Sequence, residues 1–397
     1  MKIGVAVFAY CRNKHLEQVL EGLKCNRGID KLYIFQDGLK KEEHRAGWVE
    51  TTNVIEAIDW CEVKYIKAAE NLGLRSSIIR GVSYVLEEND AIIVLEDDCV
   101  PTPGFMTYMR ACLQKYELDQ NIWHVSAYTP PFLNEKKDDE LYFLGRMLCW
   151  GWGTWKNRWS KCDFEKDYLT LLQTDKELSL KTNLWSALDF ENVLCGVQKG
   201  VIDTWDTWWA LCILEYNGLC VNPYMSYVRN IGFDGSGCNC NERDTRFDSM
   251  LQMKNIEEIS FPMRNSIPIS VVSAFSHSFL GSSLAYHELF DADRKAKKAI
   301  VYGVGNGLRQ YENEISESYK VIAFVDKNRC GYYAGLDIIR PDKIREYLTS
   351  DEKMEVLITI LDVTTATEIK KYLMDEYEID EKQIVVLSQV FHGTKNL

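Results

Sequence analysis

What this chain has little of already narrows its function. No apolar run approaches the roughly 18 residues of a membrane-spanning helix, which argues for a cytoplasmic protein; peripheral association with the inner face of the membrane is compatible with that. Positive charge is short: 46 lysines and arginines stand against 59 aspartates and glutamates, a net charge of −13. A nucleic-acid partner needs a basic face, so it is excluded as the bulk ligand, and an anionic small molecule would need a local cation. The 13 cysteines are odd in number, scattered, and form no C-x-x-C pair, so they read as reduced and mostly buried thiols. Prolines number only 8, and no low-complexity tail or internal repeat is present. The apolar start, Met1 to Tyr10, runs into Cys11-Arg12-Asn13 without a small-residue cleavage site and reads as a first strand.

The 397 residues that remain are enough for two or three domains, each with its own core. Short apolar strands alternate with helix-period segments over the first hundred positions: Ile3 to Ala9, Lys31 to Phe35, Val63 to Ile66 and Ala91 to Leu95 are the strands. Such alternation predicts an α/β fold with a mostly parallel, doubly wound sheet. A tryptophan-rich stretch follows, with eight of the eleven tryptophans between Trp150 and Trp209. The composition then becomes mixed from 257 to 297, which reads as a linker with a helix. From Lys298 a strand, the turn Gly303-Val304-Gly305-Asn306-Gly307, a helix and a strand ending at Asp326, which is placed to meet a ribose, form a Rossmann-like half-motif. The expected division is therefore 1–256, a linker at 257–297, and a smaller Rossmann-like α/β domain at 298–397.

The acidic triplet Glu96-Asp97-Asp98 closes the buried strand that begins at Ala91. Open parallel sheets bind ligands beyond the carboxyl ends of their strands, and Mg2+ or Mn2+ takes one or two carboxylates while leaving its other positions to water and phosphate oxygens. A divalent cation carrying a diphosphate suits that place, although acidic triplets also occur on solvated faces. Arg12 follows the first strand and Asp37 follows the second, so both reach the same edge and could frame a nucleobase, unless they are a surface arginine and an Asp-Gly turn. The run Cys149-Trp150-Gly151-Trp152-Gly153-Thr154-Trp155 is expected to be a packed loop, with indole faces as sugar platforms or as core. Asp206, in Trp205-Asp206-Thr207-Trp208-Trp209, is a carboxylate among aromatics and a candidate general base.

Taken in order, Val94 to Asp98, Pro103-Gly104-Phe105, Trp123 to Ala127, Gly151-Trp152 and Trp205-Asp206-Thr207-Trp208 resemble GT-A glycosyltransferases. The pattern is similar to the N-acetylglucosaminyltransferase I family and to related bacterial polysaccharide glycosyltransferases, over roughly residues 3 to 237. That resemblance implies a GT-A fold and an inverting, metal-dependent glycosyltransferase, hexosyl- or N-acetylhexosaminyl-, acting in bacterial surface glycan synthesis. Its donor would be a UDP-sugar and its acceptor a glycan or lipid-linked saccharide. The resemblance assigns the metal to Asp98, the donor ribose to Asp97, the donor sugar to Glu96, the uridine to Arg12 and Asp37, and the base to Asp206; Trp152 joins them at the donor. Thr207 stands where the relative has a second acid, and no histidine lies between His124 and His277 to serve as a late metal ligand. Cys238 and Cys240 read as structural thiols. Two other classes share parts of the pattern: a sugar nucleotidyltransferase, against which the absence of a glycine-rich basic loop after the first strand counts, and a non-catalytic glycan-binding scaffold.

Overall fold

The computed structural model describes residues 1–135, 140–186, 189–235, 244–254, 258–349, 351 and 353–392. Cys238 and Cys240 lie outside them. Two compact units are formed, the first from Met1–Lys166 and Val197–Val271, the second from Asp167–Gly196 and Val272–Leu397. Residues 167–196, expected in the first domain, thus fold with the carboxyl-terminal one.

In the first unit the expected runs become strands: β1 (Ile3–Ala9), β2 (Lys31–Gln36), β3 (Glu62–Lys67) and β4 (Ala91–Glu96) are mutually parallel in the order β3-β2-β1-β4, with β3 the half-buried edge. Helices α1 (Asn13–Lys24), α2 (Arg45–Glu56) and α3 (Gly73–Glu88) make the crossovers. Leu16, Val19, Leu20 and Leu23 recur on one face of α1 and are buried, the periodicity that holds such a helix to a sheet. The chain builds outward from β1 through β2 to β3, then returns to add β4 on the other side. The carboxyl ends of β1 and β4 therefore flank the switch point, where α/β sheets leave a crevice.

Beyond β4 the sheet departs from the expected parallel pattern. After β5 (Cys99–Pro101), α4 (Phe105–Lys115), β6 (Ile122–Ser126) and β7 (Leu141–Leu144) comes β8 (Trp152–Trp155), which inserts antiparallel between β4 and β6. Strand β9 (Leu219–Pro223) pairs parallel with β6 and antiparallel with β7, giving eight mixed strands, and β10 (Val228–Asn230) forms a ribbon with β5. The Trp-Gly-Thr-Trp segment is thus a strand and not the packed loop its composition suggests. Glycine makes this fit, because a Cβ on Gly153 would stand 2.8 Å from the Ile92 carbonyl oxygen and 3.1 Å from the Met109 side chain.

The second unit carries a six-stranded sheet in the order β13-β14-β12-β11-β15-β16. Its strands are β11 (Lys297–Tyr302), β12 (Tyr319–Val325), β13 (Gly331–Tyr333), β14 (Leu336–Ile339), β15 (Glu355–Ile358) and β16 (Ile384–Val386), and all pairings are parallel except β13 with β14. The glycine turn after β11 forms as expected, with Gly303 at φ 102° and Gly307 pressed on the Thr359 carbonyl where no side chain fits. Asp326 is not left facing a ribose: Oδ2 accepts from the Val304 amide at 3.2 Å, and Oδ1 accepts from the amides of Asn328 and Arg329 at 2.8 and 3.0 Å. Helix Lys176–Ser186 belongs to this core, where Asn183 Oδ1 accepts from the Ala334 amide at 2.8 Å.

A buried carboxylate anchors the same region. Glu312 is 4% exposed and accepts from the Ser282 hydroxyl, from the Leu284 amide at 3.3 Å and from the Tyr333 hydroxyl at 2.8 Å. Burial raises its pKa above the ordinary value of 4.5, against the pull of those donors. A carboxyl raised on folding contributes its stability below the unfolded pKa and loses it as pH climbs through the folded value. Glu312→Gln should therefore gain thermal stability relative to the parent as pH rises above 4.5, with the difference shrinking toward acid. Melting curves from pH 4 to 8 (about the range where carboxyls titrate) check this; a gap that narrows with rising pH would contradict it.

Candidate functional site

A cleft of about 800 Å³ opens at the switch point of the first unit, lined by the segment after β1, the carboxyl ends of β2 and β4, the start of α3, and the turn after β10. Arg12, Asp37, Glu96, Asp97 and Asp98 all border it. Sequence positions nearly ninety residues apart meet here because β1 and β4 are parallel neighbours, with Phe8 beside Glu96.

Arg12 is the hub. Its Nη2 donates to Asp97 Oδ1 and, at 2.8 Å, to Asp98 Oδ2. Asp97 is 5% exposed and also accepts from the Tyr10 amide at 3.3 Å; its pKa is nonetheless raised, by burial above all. Glu96 is pushed up to about 8, first by burial and then by the charges of Asp98 and Asp97, with Asp206 adding to the same effect. Burial works against the Arg12 guanidinium, but Asp97 and Asp98 together outweigh it and hold the arginine more firmly protonated. Glu96, Asp97 and Asp98 thus act on one another beside one guanidinium, and Asp206 reaches Glu96. Gly232 lies directly over Asp98, and any Cβ there would collide with Oδ2.

That surplus of negative charge, presented by oxygen donors alone, fits a hard divalent cation. Among the described residues no group of three or more histidine, cysteine or acidic side chains is arranged to hold a metal ion by itself. Asp98, with its side chain 14% exposed in the cleft, would hold such an ion and leave the remaining positions to water and a phosphate-bearing ligand.

Asp37 is a neighbour of the cleft but not a free acceptor. Oδ1 takes the amides of Gly38 and Leu72, each at 2.8 Å, and Oδ2 takes Asn71 Nδ2 at 2.8 Å and the Gly73 amide at 3.0 Å. Asp203 continues the pattern, accepting from the amides of Leu74 at 2.7 Å and Arg75 at 3.2 Å. Two carboxylates from distant parts of the chain therefore satisfy the leading amides of α3, the groups that would otherwise attract a phosphate.

Asp206 opens the helix Asp206–Glu215, and its Oδ1 accepts from the hydroxyls of Thr204 at 2.6 Å and Thr207 at 3.4 Å. It does not line the cleft itself, yet its charge reaches both Glu96 and Cys149. Trp152, expected at the donor, is fully buried and stacks on Trp205 at 4.8 Å and on His124 at 5.4 Å. Alternation along β8 turns its indole into the core. Trp150, just before that strand, is the tryptophan that lines the cleft, edge-on to Phe233 at 5.3 Å and to Phe247 at 5.4 Å. His124 is also core: Nε2 bonds the Leu148 carbonyl at 3.1 Å, Nδ1 accepts from Trp209 Nε1 at 3.2 Å, and burial lowers its pKa to about 3.

Several lining residues carry no motif of their own. Tyr10 bonds His44 Nδ1 at 2.9 Å and accepts from the Lys40 amide at 2.9 Å, fixing the loop after β2 against the segment after β1. Lys40 and Arg80 put exposed cationic side chains on the cleft wall. Tyr10 and Lys40 follow strand ends, but Arg80 lies in the middle of α3, where nothing in the sequence marks it.

Residues 295–385 match a family model described as C2185-like, N-terminal, which covers less than half of the chain. No curated protein matches it. Among solved structures the chain is similar to S. aureus TarS 1-349, with a TM-score of 0.34 and 10% identity over 57% of this chain and 60% of that one. It is also similar to the mannosyltransferase PcManGT from Pyrobaculum calidifontis, solved in complex with GDP-Man and Mn2+, with a TM-score of 0.31 and 9% identity over 54% of this chain and 69% of that one. A third is the galactosyltransferase LgtC in complex with donor and acceptor sugar analogs, at 0.29 and 9% over 53% of this chain and 70% of that one. The chain spans less than two thirds of the TarS fragment. At such superposition and identity the likenesses carry no argument about activity, which rests on the cleft itself.

Proposed function

We propose that the first unit is a metal-dependent, inverting glycosyltransferase that moves a hexosyl or N-acetylhexosaminyl group from a UDP-sugar to a glycan or lipid-linked saccharide. The observation that carries this reading is the meeting of Glu96, Asp97 and Asp98 with Arg12 at the switch point, in a cleft whose volume lies within the roughly 300–1,000 Å³ of small-molecule sites. A divalent cation at Asp98, when bound, would neutralise the leaving diphosphate. Glu96, protonated near neutral pH, can donate a hydrogen bond to a sugar hydroxyl as well as accept one. Asp97, held by Arg12 and the Tyr10 amide, has the fixed orientation needed to read a ribose. Asp206 has Oδ1 pinned by two threonine hydroxyls, which orients the carboxylate as a base for the acceptor hydroxyl. The carboxyl-terminal unit is proposed as a docking or regulatory module.

Release of UDP from a panel of UDP-sugars, with and without Mn2+ and saccharide acceptors, tests the reading. Release that depends on metal and rises with acceptor supports it; pyrophosphate release from a nucleoside triphosphate and a sugar phosphate would mark a nucleotidyltransferase, and binding without turnover a scaffold. Competition should rank UDP above GDP. Because Asp37 is engaged by four donors, Asp37→Asn should weaken all nucleotides together by loosening the turn at Asn71 to Gly73. Competition binding with UDP, CDP and GDP checks this: a change in their ranking would mean that Asp37 reads the base directly.

A further inference from the structure

The guanidinium of Arg12 already bonds Asp98 Oδ2 inside the cleft, where a cation would compete for the same carboxylate. It donates to Asp98 at 2.8 Å while also bonding Asp97, and its side chain is 22% exposed within the cleft. Salt bridges of this kind stand only when their charges stay matched, because removing one partner leaves a buried carboxylate uncompensated. A bare metal ion therefore competes with the Arg12–Asp98 pair and sets a second positive charge beside the guanidinium, which keeps only Asp97 as its partner. A metal ion that arrives with a diphosphate brings a new anionic partner for the arginine, and guanidinium groups suit phosphate oxygens well.

Resting on the glycosyltransferase reading, we infer that Arg12 is the resident counter-cation of the unloaded cleft and is exchanged from Asp98 to the diphosphate when metal and nucleotide bind. Arg12 is then a positioning residue that couples the two ligands: it opposes the metal alone and favours the metal with UDP. Coupling of this kind is reciprocal, so UDP must raise metal affinity by the same factor by which metal raises UDP affinity. Gly232 approaches both groups closely: a Cβ there would collide with Asp98 Oδ2 and stand 3.2 Å from Arg12 Nη1.

The test is Mn2+ binding to the full chain, followed by electron paramagnetic resonance and calorimetry, without and with UDP. Arg12→Gln should bind Mn2+ alone about tenfold more tightly than the parent, because the competing cation is gone, yet bind UDP about tenfold more weakly at saturating Mn2+. These opposite signs are the signature, since simple loss of structure would weaken both. Arg12→Met, neutral and similar in length, should behave the same way and serves if the glutamine variant does not fold. Unchanged or weaker Mn2+ affinity in a folded variant, in a protein whose parent binds Mn2+ with UDP, overturns the exchange alone. A parent that binds no Mn2+ with or without UDP overturns both the exchange and the metal-dependent reading beneath it.

Discussion

Asp206→Asn is expected to slow sugar transfer by about a hundred- to ten-thousandfold, the usual cost of losing a positioned base, while UDP-sugar and Mn2+ affinity stay close to the parent values. The separation follows from placement. Asp206 sits at the start of its own helix, bonded to Thr204 and Thr207, and does not line the cleft that the nucleotide would fill. An amide is nearly the same size and can keep a threonine contact, but it cannot take a proton at neutral pH. Single-turnover kinetics beside calorimetric binding would check both halves, and a variant that keeps its turnover but loses UDP-sugar affinity would make Asp206 a donor-binding residue.

The second large effect belongs to Asp98→Asn. Groups that merely stand behind metal ligands typically cost about ten- to a hundredfold in affinity when changed, so neutralising the proposed ligand itself should cost at least a hundredfold in Mn2+-dependent UDP binding and abolish metal-dependent turnover. The fold should persist, because β4 is fixed by its buried run from Ala91 to Leu95 and by register with β1 and β8, none of which uses the Asp98 side chain. Calorimetry with UDP at fixed Mn2+ is decisive: parent-like affinity in a folded variant would remove Asp98 from the metal site.

How much of this was legible in the sequence follows from the range of the forces involved. Strands β1 to β4 could be read because each is a short apolar run bounded by polar helix, and a chain of alternating strands and helices has few ways to pair them. Their order then brought Arg12, Asp97 and Asp98 together without any long-range information. Strand β8 was not legible, since tryptophan favours strands but glycine is depleted in them until a neighbour demands close approach; here Ile92 and Met109 demand it. For the same reason Trp152 was assigned to a ligand when burial between Trp205 and His124 had claimed it. Asp37 and Asp326 show a complementary gap. Each stands where a ligand contact is expected, and in each case the backbone amides of a nearby turn take both oxygens; the Asp37-Gly38 pair signalled that alternative, whereas at Asp326 it depends on loop geometry alone.

The assignment of residues 167–196 to the second unit has a practical consequence for dissecting the protein. The polypeptide passes from one core to the other three times, at 166/167, 196/197 and 271/272. No single cut separates the two, and a stop codon near Lys298 would leave the helix Lys176–Ser186 with its partner Ala334 deleted, keeping contacts such as Trp185 on Phe275 but losing the sheet it belongs to. A clean catalytic fragment calls for an internal deletion, joining Lys166 to Val197 through a short flexible linker and ending near Val271, so that each side of the splice is returned to the core that owns it.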